Sequence, residues 1–338
     1  MLKKYIAALV EGNDLSEEQA HDAMSSIMGG KASEAQIAGF LVALRLKGES
    51  VPEITGCARA MREAAVHIDA GGLDVVDTCG TGGTHKGTFN VSTASAIVAA
   101  GAGVPVAKHG NRGASSSFGS ADVLQALRVN IEADKETVEK CIREVGIGFL
   151  FAPLMHRAMK YAIGPRRDLA IRTVFNILGP LTNPAHARRQ VLGVFSEQLV
   201  EPVVGVLKNL GAERALVVHS RDGMDEISLC DETTVARLEN GRIEVFTFRP
   251  EDVGLERAVR EEIAAESAGE SAATIRDILE GRHGAPRDMV LLNAGAAIYV
   301  GGKADDIRAG VAVAAEAIDS GRARQTLDRL VEVSRSAS

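Results

Sequence analysis

The chain has 338 residues, of which 46% are hydrophobic and 25% charged, with a net charge of −7. That length exceeds one ordinary core and predicts two domains, one of them discontinuous. The negative balance argues against a general nucleic-acid binder, and the scattered Cys57, Cys79, Cys141 and Cys230 form neither a C-x-x-C pair nor a metal spacing.

Reduced thiols in a cytoplasmic protein are therefore expected. Met1 to Tyr5 leads into a mixed helix rather than an apolar signal core. The most apolar window, Val91 to Ala107, is short and carries Pro105, so no membrane span is expected.

The first seventy residues read as all-helical. Ser16 with Gln19 and Ser33 with Gln36 form capping boxes ahead of apolar positions at helical spacing. Gly29-Gly30 and Gly48 end two helices, and Pro52 sits early in a fourth that runs to about Val66. Gly71-Gly72 is a hinge candidate.

From Leu73 the pattern changes to short apolar runs alternating with helices. Strands are expected at Leu73–Thr78, Val104–Lys108, Gln190–Phe195, Ala215–His219 and Val290–Leu292. Helices are expected at Ser92–Ala102, Ser120–Arg128, Lys135–Val145, Leu154–Tyr161 and Glu197–Leu210, with two more beyond Ala304. Such alternation implies an α/β fold, with a mainly parallel sheet covered on both faces. Arg242–Val245 reads as a small antiparallel addition.

Four clusters carry chemistry. The first is Asp77-Thr78-Cys79-Gly80-Thr81-Gly82-Gly83, followed by Phe89-Asn90-Val91-Ser92-Thr93 at a helix start. Glycines let backbone N–H groups converge on an anion, and a helix N-terminus adds partial positive charge. The spacing matches neither G-x-x-x-x-G-K-[ST] nor G-x-G-x-x-G, and a plain turn capped by Ser92 is the competing reading.

The second cluster is Lys108-His109-Gly110-Asn111-Arg112-Gly113-Ala114-Ser115-Ser116-Ser117, at the exit of a strand, where open α/β sheets bind ligands. Its two cations, amide and hydroxyls suit an anion; His109 reads as a hydrogen-bonding partner more than as a general base. The helix opening at Ser120 has free N–H groups to extend this site.

The third cluster is Asp222-Gly223-Met224-Asp225-Glu226. Taken alone it is an acidic turn. Beside two anion-binding loops it reads better as a Mg²⁺ site bridging substrate phosphates. Last come Arg166, Arg167 and Arg172, ahead of Asn176 to Pro184, where one arginine can grip a carboxylate bidentately. With no G-x-S-x-G, no H-E-x-x-H and no cysteine clearly paired with histidine, catalysis by positioning and charge neutralisation is expected.

D-T-C-G-T-G-G, F-N-V-S-T, K-H-G-N-R, G-S-A-D, F-A-P-L-M-H, R-R-D-L and D-G-M-D-E, in this order and spacing, closely resemble the anthranilate phosphoribosyltransferase family of tryptophan biosynthesis. The resemblance covers the chain from its N-terminal helices to at least Glu226. It implies a nucleoside phosphorylase-like fold: a small helical domain at 1–70 with a returning segment at about 165–185, and an α/β domain at 73–164 and 186–338.

It also implies the ligands. Phosphoribosyl pyrophosphate would lie against Gly80, Gly83, Thr84, Thr88, Asn90, Val91, Ser92, Thr93, Lys108, His109, Gly110, Asn111, Arg112, Gly113, Ala114, Ser115, Ser116 and Ser120. Anthranilate would meet Gly80, Asn111 and Arg166, and Mg²⁺ would be held by Ser92, Asp225 and Glu226. A homodimer is implied too.

The chain departs from the family at Thr84-His85-Lys86, where an Asp is usual, and at Ala170, where Gly is common. The first departure bears on affinity and metal stoichiometry more than on the reaction. Two other readings remain: a nucleoside phosphorylase of the same broad fold, and a non-catalytic relative that binds nucleic acid.

Overall fold

The computed structural model describes residues 2–82, 87–113 and 118–336. Four helices come first: α1 (Leu2–Val10), α2 (Glu17–Met28), α3 (Glu34–Lys47) and α4 (Val51–Glu63). Both expected capping boxes are formed, Ser16 with Gln19 and Ser33 with Gln36. Helix α4 packs tightly on α2, where a Cβ at Gly56 would stand 2.1 Å from the Glu17 carbonyl oxygen.

Glu53 of α4 is fully buried among these helices. It accepts from the Leu15 and Ser50 amides and the Ser50 hydroxyl, and pairs with Lys47 at 2.9 Å. A buried charge partnered in this way stabilises the bundle, because every lone pair surrendered by water finds a donor.

The sheet has the order β3-β2-β1-β4-β5-β6-β7. Its strands are β1 (Val76–Gly80), β2 (Val106–Gly110), β3 (Ile147–Phe151), β4 (Arg189–Gly193), β5 (Arg214–Ser220), β6 (Thr233–Glu239) and β7 (Arg242–Phe248). The first five run parallel; β6 and β7 add antiparallel hairpin strands. The later helices are α5 (Val91–Gly101), α6 (Ser120–Ala126), α7 (Lys135–Val145), α8 (Ala152–Met155), α9 (Lys160–Leu169), α10 (Phe175–Leu178), α11 (Val200–Asn209), α12 (Ala268–Leu279), α13 (Ala285–Val300), α14 (Ile307–Asp319) and α15 (Arg322–Arg335).

The two-residue period of the strands divides the core. Leu216 and Val218 face α5, α13 and α14, whereas Ala215 and Val217 face α11 and the N-terminal helices. Ala162, Val174, Phe175, Ile177 and Leu178 join that second core, so the segment around α9 and α10 packs with α2, α3 and α4.

Several expected elements differ. Val290–Leu292 lies within α13, which is apolar and buried on nearly every side, and a short apolar run does not distinguish a buried strand from such a helix. Leu154–Tyr161 is not one helix but α8, a 3₁₀ turn at Arg157–Met159 and the start of α9. Strands β3 and β6 were not expected. All five residues of β3 are buried, and β6 gains its place from pairing with β5 and β7. The first strand begins at Val76 rather than Leu73, because register with β4 starts there while Leu73 is exposed.

Candidate active site

Strand order reverses at β1, whose neighbours are β2 and β4, and the carboxyl ends of strands at such a point are where open α/β sheets form their ligand crevice. There Gly80 and Gly193 stand in register. Asp225 lies across both. A Cβ at Gly80 would be 2.3 Å from Asp225 Oδ2, and one at Gly193 would be 1.5 Å from the Asp225 carbonyl oxygen. No side chain fits at either glycine, which explains both without recourse to turn geometry. The Gly82 amide then donates to Asp225 Oδ2 at 2.8 Å, joining the glycine turn to an acidic turn 143 residues later.

The acidic turn is built to present its last two residues. Gly223 takes a positive φ of 86°, and the Ser220 amide donates to the Met224 carbonyl. Asp222 is occupied structurally, accepting from the Met224 amide and the Ser228 hydroxyl. Desolvation first, then Asp225 and Asp222, hold Glu226 well above the usual carboxylate range, against the opposing pull of Lys108 and Arg260. Crowded carboxylates of this kind fit a hard cation, which would relieve their repulsion. Among the described residues no group of three or more His, Cys, Asp or Glu is placed to cage a metal alone. Asp225 with Glu226 is a donor set that suits Mg²⁺, which uses one or two carboxylates and completes its shell with water and substrate oxygens.

Helix α5 is capped by Asn90, not Ser92. Asn90 Oδ1 accepts from the Thr93 amide at 3.0 Å, and Ser92 Oγ lies 3.3 Å from the same oxygen. Val91 and Thr93 are buried, so neither side chain faces the crevice; their backbone belongs to the helix start. Thr88 pairs with Ala264 in an isolated bridge beside the cradle.

Lys108 is buried, and its ammonium donates to the Thr78 carbonyl at 2.6 Å and Ser92 Oγ at 3.2 Å. Burial lowers its pKa, opposed chiefly by Asp77. The sequence reading sets this cation toward a substrate; in the structure its ammonium stands between Thr78 and Ser92 and is drawn to Asp77 and Glu226. His109 is buried as well. Its ring meets the Gly179 carbonyl and, at 3.2 Å, His156; burial and then His156 push its pKa down to about 3.

The exit loop of β2 folds onto α6. Arg112 pairs with Asp122 at 2.7 Å, and the Gly113 amide donates to the same carboxylate. The Asn111 carbonyl accepts from the Ala121 amide, and a Cβ at Gly110 would stand 2.1 Å from Ser120 Oγ. Arg112 is thus turned toward Asp122, a pairing that residue type alone did not foretell. Arg166 projects from α9 over the Phe175 ring, 5.1 Å from its centroid, and burial lowers its pKa. Gly83, Thr84, Ala114, Ser115 and Ser116 lie outside the described residues. Two participants went unremarked in the sequence, Gly193 against Asp225 and Arg260 on the Asp222 carbonyl, and a third, Asn183, which donates to Asp77, was read only as part of a turn. Asn183 lay within the Asn176 to Pro184 turn, whose chemistry gave no hint of a partner.

Fold and strand-end loops together suit a group transferase with an anion-binding and cation-binding site at the switch point. The helical bundle domain of a glycosyl transferase family matches residues 3–65, and the a/b domain of a glycosyl transferase family matches residues 72–324. The chain is 54% identical over 323 residues to the anthranilate phosphoribosyltransferase of Clostridium kluyveri, covering 96% of each. It is 52% identical over 336 residues to that of Acetivibrio thermocellus, covering 99% of this chain and 97% of the relative.

Among solved structures, the anthranilate phosphoribosyltransferase (TrpD) of Thermus thermophilus superposes with a TM-score of 0.93 at 46% identity, covering 98% of this chain and 99% of that one. The Saccharomyces cerevisiae enzyme in complex with PRPP and Mg gives 0.90 at 28% identity, over 99% and 98%. The chain belongs to the anthranilate phosphoribosyltransferases of the glycosyl transferase family.

Proposed function

We infer that the chain transfers the phosphoribosyl group of 5-phosphoribosyl 1-pyrophosphate to the amine of anthranilate, releasing pyrophosphate, in tryptophan biosynthesis. The observation that carries the site is the contact between the Gly82 amide and Asp225, which joins an anion cradle to a cation-binding pair in one crevice. Mg²⁺ serves as cofactor; Ser92, Asp225 and Glu226 would hold it, where it neutralises charge on the pyrophosphate. The start of helix α5 at Asn90 to Thr93, Gly80, Gly83, Thr84, Thr88 and the loop from Lys108 to Ser116 with Ser120 form the proposed phosphoribosyl pyrophosphate site.

Arg166 grips the anthranilate carboxylate, with Gly80 and Asn111 beside the ring. The amine is neutral at pH 7. It attacks the anomeric carbon as the carbon–oxygen bond to pyrophosphate breaks, and the amine proton is lost to solvent. The ring passes through an oxocarbenium-like state that needs no covalent nucleophile. His109 does not serve as base in this scheme, because its ring is engaged by Gly179 and His156.

The phosphorylase and nucleic-acid readings give way to near-complete matches with anthranilate enzymes at over half identity. We take 1–70 with 165–185 as the helical domain and 73–164 with 186–338 as the α/β domain, a division supported by Val174, Phe175, Ile177 and Leu178, which join α1–α4 in a core shared with one face of the sheet. Among the described residues no helix is long and apolar enough to cross a membrane; we place the protein in the cytoplasm. A homodimer is favoured by Val10, Leu46 and Ile163, exposed on α1, α3 and α9, where α3 packs on both others. Light scattering checks it.

The decisive experiment follows anthranilate fluorescence with phosphoribosyl pyrophosphate and Mg²⁺. Consumption is expected, and a folded protein that consumes none at any metal concentration would overturn the assignment. Arg166→Ala should raise the KM for anthranilate by an order of magnitude or more (about 1.5–3 kcal/mol for a charged hydrogen-bonded contact) and leave phosphoribosyl pyrophosphate binding near wild type. Equal loss for both substrates rejects its role.

A further inference from the structure

Strands β1 and β2 are adjacent and parallel, yet they pair only at Val76↔Val106. Their other neighbours pair along the strand, from Val76↔Arg189 to Gly80↔Gly193 and from Val106↔Ile147 to Gly110↔Phe151. A ladder opened inside a buried sheet leaves polar backbone groups that must be satisfied in another way. Here side chains do it. Asp77 Oδ1 accepts from the His109 amide at 3.1 Å. Asn183 Nδ2 donates to the Ala107 carbonyl at 2.8 Å, and Lys108 donates to the Thr78 carbonyl.

The wedge is tied together. Asn183 Nδ2 also donates to Asp77 Oδ2 at 2.8 Å, and its Oδ1 accepts from the Ala185 amide at 2.8 Å. Both amide protons and the amide oxygen of Asn183 are therefore used. Asp77 is fully buried and Asn183 is 2% exposed. The neighbouring Pro180 carbonyl is clamped from the same side by Gln190 at 2.7 Å. A segment from mid-chain thus sits in the opening and supplies what a regular ladder would have supplied.

The two strands held apart end in the two loops to which phosphoribosyl pyrophosphate is assigned, the glycine turn after β1 and the loop that opens at Asn111 after β2. We propose that Asp77 and Asn183 are positioning residues that hold β1 and β2 splayed, and so fix the spacing of the two loops that bind phosphoribosyl pyrophosphate. The inference rests on the functional reading above. Neither side chain touches the substrate; both act through the backbone of His109 and Ala107.

The test is Asp77→Asn, which keeps the volume but leaves one acceptor oxygen where the His109 amide, the Asn183 amide and the Cys79 thiol donate to the carboxylate, with Asn183→Ser as a second route to the same loss. Turnover is followed by anthranilate fluorescence, and phosphoribosyl pyrophosphate binding by calorimetry with Mg²⁺. Melting temperature reports the folded fraction. Glu53→Gln, a buried carboxylate change within α4, controls for stability. The expected result is a KM and Kd for phosphoribosyl pyrophosphate raised about ten- to a hundredfold in the folded protein, as for a displacement on the order of 1 Å, with the KM for anthranilate within about threefold.

Equal loss for both substrates, or a lower melting temperature with unchanged constants, would overturn the proposal. So would failure of both variants to fold where Glu53→Gln folds, since the pair would then serve stability alone. Wild-type turnover in the same assay separates the two ideas: its absence sinks the functional reading, whereas an active wild type with a wild-type-like Asp77→Asn sinks only this one.

Discussion

Glu53 is fully buried and Glu226 half-buried, and these two desolvated acids are treated in opposite ways. Glu53 in the helical bundle is met by two amides, a hydroxyl and the Lys47 ammonium. Glu226 in the crevice has Asp225 and Asp222 for neighbours, and these add to desolvation in raising its pKa. The first is an acid whose lone pairs are spent on holding the fold. The second is an acid left crowded, only partly offset by Lys108 and Arg260, and a bound cation would relieve the rest. Desolvation alone does not mark function; the sign of the neighbouring charge does.

Breaking each acid should separate the two roles. Glu226→Gln is expected to lower turnover on the order of 100-fold, while the melting temperature without Mg²⁺ stays level or rises. A fall in melting temperature comparable to that of a bundle variant would erase the contrast. Glu53→Gln should do the reverse. It sets an amide donor against Lys47 and the Ser50 amide, costing roughly 3 kcal/mol of stability in denaturant titrations, with turnover per folded molecule unchanged.

The crevice's neighbouring histidines sharpen the comparison at lower pH. Burial first, aided at His109 by its neighbour, pushes His109 down to about 3 and His156 down to about 4, both from 6.5. The unfolded chain then holds more protons than the folded one below 6.5, so their contribution is full above that value. It is lost progressively as the pH falls from 6.5 toward 4 for His156 and 3 for His109, and no more is lost below those values. Unfolding titrations at pH 7 and pH 5 should differ by at most about 2 kcal/mol for each histidine, and His156→Gln should remove roughly half of that difference. A slope unchanged in His156→Gln would assign the acid sensitivity elsewhere. The smallest effect is expected of Thr84→Asp, which returns the family's usual acid. It should alter the Mg²⁺ dependence of turnover, and an identical metal profile would mean the departure is silent.

Much of the fold was legible because its signals are local. Capping boxes fixed the starts of α2 and α3, and the alternation from Leu73 onward announced a parallel sheet. Helix α7 was read with its observed bounds, since Asp134 caps it and Gly146 ends it in the left-handed region. Where local signal was ambiguous the reading failed. Val290–Leu292 is as apolar as a buried strand, and only packing against α5 and α14 makes it part of α13.

By itself, then, the sequence determined the chemistry available: glycines and hydroxyls for an anion, paired acids for a cation, an arginine for a carboxylate. The tertiary structure alone decided which of these meet. Asp225 reaches Gly82 across 143 residues, Asn183 reaches Asp77 across 106, and Arg112 turns to Asp122 instead of the crevice. Residue type sets what a side chain can donate or accept, whereas its partner follows from strand order and register. Those depend on burying both faces of one sheet at once, a condition no short stretch of chain contains.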